Sequence, residues 1–153
     1  MSIPAAVSLE AVQKDLAAVV PFTTAAGLIL DTAAIREDNL RFYVTFQNRR
    51  GDKFYAEFDC RDYPLFPPTI EFTDEARQSW GLRPLYPDVF HSAPCVCMRY
   101  NRKACGDLGG PHADWRLMDW HLPTPGGGPI TSLALMISDM HTKILASSGR
   151  MGG

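Results

Sequence analysis

Apolar and polar positions alternate along this chain with two periods. Leu9, Val12, Leu16, Val19 and Val20 recur at three- and four-residue steps, the period of an amphipathic helix, with Ser8 as its N-cap and Pro21 as its end. A short apolar run over residues 27–30 then predicts a first strand. Leu40, Phe42, Val44 and Phe46 alternate with Arg41, Tyr43, Thr45 and Gln47, which predicts a strand with one face buried. Residues 48–52, with Gly51, read as a hairpin loop. Phe54, Ala56 and Phe58 mark a third strand ending at Cys60, and Ile70 and Phe72 a fourth. Near the C-terminus, Ile130, Leu133, Ile137, Met140 and Ile144 form a second helical stripe, with Pro129 in its first turn and Lys143 near its negative end.

Between the last strand and that helix the pattern breaks. Residues 74–80 suit one or two helical turns, and 81–88 read as loop with Pro84 and Pro87. Residues 99–119 are polar and glycine-rich. The stretch 123–129 (Pro-Thr-Pro-Gly-Gly-Gly-Pro) reads as a linker-like loop. Its triple glycine lacks the Gly-Lys-Ser/Thr ending of a nucleotide-binding loop. The final Arg150-Met151-Gly152-Gly153 reads as a flexible end.

With 153 residues the chain is expected to form one domain, 1–153, large enough to bury a core. A net charge of −2 without a Lys/Arg block argues against nucleic acid as a partner. No apolar run approaches membrane-spanning length, and the first residues do not read as a signal peptide. A cytoplasmic location with four reduced cysteines is the expectation.

The segment from 63 to 98 carries the most specific pattern. Tyr63-Pro64-Leu65-Phe66-Pro67-Pro68 is a stiff turn, since each proline fixes its own φ and pushes the preceding residue out of helical space. The strand Thr69-Ile70-Glu71-Phe72-Thr73 follows, then Phe90-His91-Ser92-Ala93-Pro94-Cys95-Val96-Cys97-Met98. This order resembles the ubiquitin-conjugating enzyme family, with its Tyr-Pro-x-x-Pro-Pro turn, its strand, its His-Pro-Asn segment and its cysteine between aliphatic residues. Tyr63, Pro64, Pro67 and Pro68 match the turn, His91 the histidine, and Val96-Cys97-Met98 the cysteine's setting. Ser92 stands where the family has Pro-Asn, and His91 lies closer to Cys97 than the family's histidine does to its cysteine.

The resemblance implies an α+β fold of the UBC-like type: an N-terminal helix, a four-stranded antiparallel meander, an active-site loop over about 86–120 and a C-terminal helix. Trp115 or Trp120 would fill the place of the family's tryptophan. It implies a transferase that takes a ubiquitin-like modifier as a thioester on Cys97 from an activating enzyme and passes it to an amine of a target protein, with no cofactor. A truncated histidine motif is similar to that of bacterial members encoded in operons with antiviral roles. His91 is the second candidate catalytic residue. With the family's Asn missing, Asn101, His112, His121 or main-chain N–H groups are candidates to stabilise the oxyanion, and Asp114 and Asp119 to take a proton from an incoming lysine.

Two other readings compete. Cys95, Cys97, Cys105 and His112 could form a zinc-stabilised site, although a Cys-x-Cys pair is tighter than the usual zinc spacing. Alternatively the chain is a non-catalytic module of the same fold that binds a ubiquitin-like protein. Cys60, at a strand end, reads as a core residue.

Overall fold

A computed structural model describes residues 1–152. The chain is an α+β protein. Helix α1 (Ala5–Ala26) leads into strands β1 (Ile29–Asp31), β2 (Arg41–Gln47), β3 (Lys53–Asp59) and β4 (Thr69–Thr73), and helix α2 (Leu133–Leu145) closes it. The strands form one antiparallel sheet in the order β1-β2-β3-β4, a meander. Between β4 and α2 there is no strand or long helix, only loops and short 3-10 turns at Arg83–Leu85, Arg102–Ala104, Gly106–Leu108 and Leu117–Asp119.

Register follows from the alternation of side chains. Phe42 pairs with Phe58, Val44 with Ala56, Phe46 with Phe54, and on the next strand pair Phe58 with Ile70 and Ala56 with Phe72. All of these residues face one side and are completely buried. A one-residue slip would turn every one of them to solvent, so the hydrophobic pattern fixes the pairing. The Phe42 and Phe58 rings stack 4.8 Å apart, 8° from parallel. The two helices pack on each other, and Val12, Val19, Leu133, Met136, Ile137, Met140 and Ile144 complete the core. Cys60 is buried among them.

Several boundaries differ from the expectation, each for a physical reason. Helix α1 starts before Ser8, with Pro4 at its N-cap; Ser8 is fully buried inside the helix, its hydroxyl without a partner. Pro21 does not end the helix. Its ring is exposed on the solvent face, and just beyond it Thr23 Oγ1 donates to Val19 O and Val20 O, and Thr24 Oγ1 to Val20 O. The end comes at Gly27, whose φ of 71° is the left-handed conformation glycine adopts without strain. Helix α2 begins at Leu133 rather than near Pro129, because the Ser132 side chain caps it by accepting from Leu135 N–H at 3.3 Å. Pro129 and Ile130 precede it. Lys143 does sit in the last turn, paired with Asp139 at 2.6 Å.

Residues 74–80 form a turn instead of a helix. The Asp74 carboxylate accepts from Gln78 N–H at 2.7 Å and Ser79 N–H at 3.1 Å, which leaves Arg77 at a φ of 59°. Trp80 is thereby folded back over the outer face of the sheet, where its indole N–H donates to Glu57 at 3.0 Å. The C-terminal residues are also more fixed than their composition suggests. Met151 is buried, its N–H donates to Tyr86 O at 2.9 Å, and Asp88 accepts from the Ser147 and Ser148 hydroxyls. The last residue of the Gly-Gly end, Gly153, lies outside the described residues. Among the described residues no helix is long and apolar enough to cross a membrane.

Candidate functional site

The proline turn and β4 place the cysteine loop. Tyr63 is buried beneath the turn; its hydroxyl donates to Asp15, and the same carboxylate accepts from Leu133 N–H at 3.1 Å, tying α1, the turn and the start of α2 together. Trp120, also buried, donates its indole N–H to Leu65 O at 3.0 Å, so it is anchored under the turn. Arg102 N–H donates to Pro68 O at 2.9 Å, and its guanidinium pairs with Asp62 at 3.2 Å.

Asn101 joins this frame to the cysteines. It is completely buried. Its Oδ1 accepts from Ile70 N–H at 2.9 Å and Lys103 N–H at 3.2 Å; its Nδ2 donates to Val96 O at 2.9 Å and Ile70 O at 3.3 Å. Every hydrogen-bonding position of that amide is directed at the main chain. Asn101 is therefore not an oxyanion donor but the tether that holds the segment before Cys97 against β4.

After Cys97 the polar, glycine-rich stretch packs back on itself. A Cβ on Gly106 would lie 2.4 Å from Ala113 O, and one on Gly110 2.3 Å from the Ala104 carbonyl carbon, so only glycine permits these approaches. The fold-back lays His112 on Trp115, with ring centroids 3.7 Å apart and planes within 8°. The Arg99 guanidinium also lies over Trp115, 5.2 Å from its centre.

Cys97 opens on a cleft of about 410 Å³, lined by Met98, Trp115, Trp120, Leu122 and Ile130 among others, with Arg99 as its charged residue. Of the four cysteines only Cys97 is partly exposed; Cys60, Cys95 and Cys105 are buried. Burial pushes the Cys97 thiol above its usual range, and the neighbouring Cys95 thiol pulls it partly back. Burial holds Cys95 at about 12 and Cys105 at about 11. At neutral pH Cys97 is thus mainly a thiol. It suits exchange with an acyl group already activated as a thioester better than attack on an unactivated amide.

The remaining candidates are dispersed. His91 is exposed and does not line the cleft. It organises the loop instead: its N–H donates to Cys95 O at 3.2 Å, and its Nδ1 accepts from Ala93 N–H at 3.0 Å. Its ring lies 6.4 Å from that of His112, which belongs to the Trp115 stack. His121, Asp114 and Asp119 are not among the cleft residues either. The main-chain N–H groups of Cys97 and Arg99 have no hydrogen-bond partner among the described residues. Among the described residues no three His, Cys, Asp or Glu side chains converge as metal ligands, so the set Cys95, Cys97, Cys105 and His112 is not assembled as one. The cleft's aromatic wall was not identifiable from the sequence, since the contact between His112 and Trp115 depends on the glycine fold-back. Compared with models of known protein families, with curated proteins and with solved structures, the chain matches none.

Proposed function

We propose that this chain is a ubiquitin-conjugating-like transferase. It accepts a ubiquitin-like modifier as a thioester on Cys97 from an activating enzyme, for attachment to an amine of a target protein. The observation that carries this reading is the position of Cys97: the one partly exposed thiol, at the edge of an apolar cleft, on a loop held by Asn101 against the strand that follows the proline turn. A helix–meander–helix order with that turn ahead of the fourth strand is the arrangement the sequence resemblance implies. An extended modifier tail could lie along Trp115, Trp120 and Leu122 while its terminal acyl group reaches the sulfur. His91 shapes the loop, and the unpaired N–H groups of Cys97 and Arg99 are the donors assigned here to the developing oxyanion. The proposed setting is the cytoplasm of a bacterium, within an antiviral operon that supplies the modifier and activating enzyme.

A second reading is favoured by the raised pKa of Cys97 and by the lack of an acidic residue in the cleft lining: a module of this kind that binds a modifier without carrying it. Charging separates the two. The chain is incubated with ATP and an activating enzyme and modifier from the same gene neighbourhood, then run on a non-reducing gel. A thiol-sensitive adduct that is lost in Cys97→Ala and retained in Cys60→Ala and Cys105→Ala is expected. Binding without an adduct, in a system shown to be active, would favour the module.

A further inference from the structure

Four arginines lie over aromatic rings. Arg77 sits 3.5 Å from the centre of Tyr43, Arg102 5.0 Å from Phe66, Arg150 4.8 Å from Phe54 and Arg99 5.2 Å from Trp115. In the first three the guanidinium also has an acceptor. Arg77 pairs with Asp31 at 2.8 Å, Arg102 pairs with Asp62 at 3.2 Å, and Arg150 donates to Lys53 O. Among the described residues the Arg99 guanidinium has neither an ion pair nor a hydrogen bond. The same contrast holds along the chain. Lys103, which follows Arg102, is paired with Glu71, so Arg99 is the uncommitted cation in the segment just after Cys97. It is half-buried, and it is the one charged residue in the cleft lining. A cation partly withdrawn from water without an anion has lost solvation that a carboxylate can restore. Its planar fork of N–H donors matches a carboxylate in a bidentate way, which an ammonium does not.

We propose that Arg99 is a specificity-determining residue: it receives the side-chain carboxylate of an acidic residue near the C-terminal end of the acyl segment that binds in the cleft. This rests on the reading of Cys97 as the acyl carrier and names the class of acyl segment it takes, an extended peptide with Asp or Glu among its last few residues. The charge balance of the cleft selects that occupant. The lining holds one cation and no carboxylate, and its other residues are uncharged. A basic segment would meet Arg99 as a like charge, and a neutral one would cover it without a partner. In the exchange itself the Cys97 sulfur forms a bond to the acyl carbon and the donor's C–S bond breaks. The departing sulfur keeps the bonding pair and takes up the proton that Cys97 gives up. Arg99 takes no part in these bonds. It favours the bound acidic segment over a neutral one, and so decides which thioester reacts.

Two probes of the full chain test this, both read at Cys97 by peptide mass spectrometry. The first is the rate of alkylation by iodoacetate, which carries a carboxylate, divided by the rate with neutral iodoacetamide. Arg99→Gln is expected to lower this ratio about three- to tenfold at low salt, and Arg99→Lys, which keeps the charge, to lower it less. Arg116→Gln, at an exposed arginine outside the cleft, is expected to leave it unchanged. Salt at 1 M should remove most of the parent's advantage, a reading that needs no variant to fold. The second probe is exchange with acetylated tetra-alanine benzyl thioesters in which one of the first three positions is Glu or Gln. At one position or more the parent is expected to react about fivefold faster with the Glu peptide, and Arg99→Gln to lose that preference. A ratio unchanged in Arg99→Gln overturns the proposal, and so does a parent with no Glu preference at any position. An altered ratio without a Glu preference also overturns it, because the cleft would then serve small anions rather than an acidic segment. Neither probe uses an activating enzyme or a modifier, so the result is separate from whether Cys97 charges on the gel.

Discussion

Asn101 donates from Nδ2 to the Val96 carbonyl at 2.9 Å, and that carbonyl belongs to the residue directly before Cys97. The bond crosses from one side of the cysteine to the other in sequence, while the rest of the amide is bound to both polar groups of Ile70 in β4. The position of the thiol is thus set by the sheet rather than by the loop's own composition. A loop with this much glycine and proline would otherwise sample many conformations, and fixing each residue costs about 1–2 kcal/mol.

Asn101→Ala should consequently destabilise the protein by about 2–4 kcal/mol, since it removes the Asn101 partners of the Ile70 N–H and C=O and one of the two donors to the Val96 carbonyl, the other being Met98 N–H. Urea denaturation measures the loss. Asn101→Asp keeps the acceptor but sets a carboxylate against two carbonyls, and should be no better. If Asn101→Ala cost under ~1 kcal/mol, or if Cys97 alkylation were unaffected in the folded variant, the tether would not hold the loop.

Strand existence and pairing were legible in the sequence because the period-two pattern of Phe42, Val44, Phe46, Phe54, Ala56 and Phe58 has one solution that buries it. The helix starts were not. Ser8 and Pro129 carry the local signals of a helix beginning, but Ser8 is buried inside α1, which starts after Pro4, and the Ser132 cap starts α2. Of the site, Cys97 could be singled out from its flanks. The cleft could not, since its walls come from separate parts of the chain: Trp115, at the fold-back that the close approaches at Gly106 and Gly110 permit, Trp120, anchored to Leu65, and Ile130. His91 was readable as a residue near the cysteine, but not as one that bonds Cys95 and Ala93 rather than the thiol.

For His91→Ala, the exposed ring and its single bond to Ala93 imply a stability loss below about 1 kcal/mol. The loss of loop order should slow discharge from charged Cys97 by less than ~10-fold. Loss of an oxyanion donor typically costs ~10²–10³ in rate. A fall of that larger size in single-turnover discharge would show that the imidazole reaches the intermediate after all.

Tyr86→Phe removes a buried hydroxyl that has no partner, so it should leave the melting temperature unchanged or raise it. Most buried Tyr→Phe changes break a hydrogen bond and are destabilising, which makes the sign informative. A loss above ~1 kcal/mol in denaturant would mean that the hydroxyl is bonded in solution, with the Phe72 main chain as its candidate partner.

Asp88 links the loop before His91 to the C-terminal turn. The Ser148 hydroxyl first, and the Ser147 hydroxyl second, hold its carboxyl below the usual value of 3.8. Because the folded value is depressed, the stability that Asp88 contributes is fully present above the unfolded pKa and is lost as pH falls through the folded one. The group is largely exposed, so the contribution is small and belongs to this turn. Asp88→Asn should therefore be less stable than the parent at pH values well above the usual carboxylate value of 3.8, and the gap should close as pH falls below it through the depressed folded value. Urea midpoints of the two proteins across that range give the comparison. A gap that persists unchanged into acid would mean that the carboxylate's charge is not what holds Ser147 and Ser148. In that case the packing of Met151 against the core, rather than the Asp88 contacts, would fix the C-terminal residues beside Tyr86.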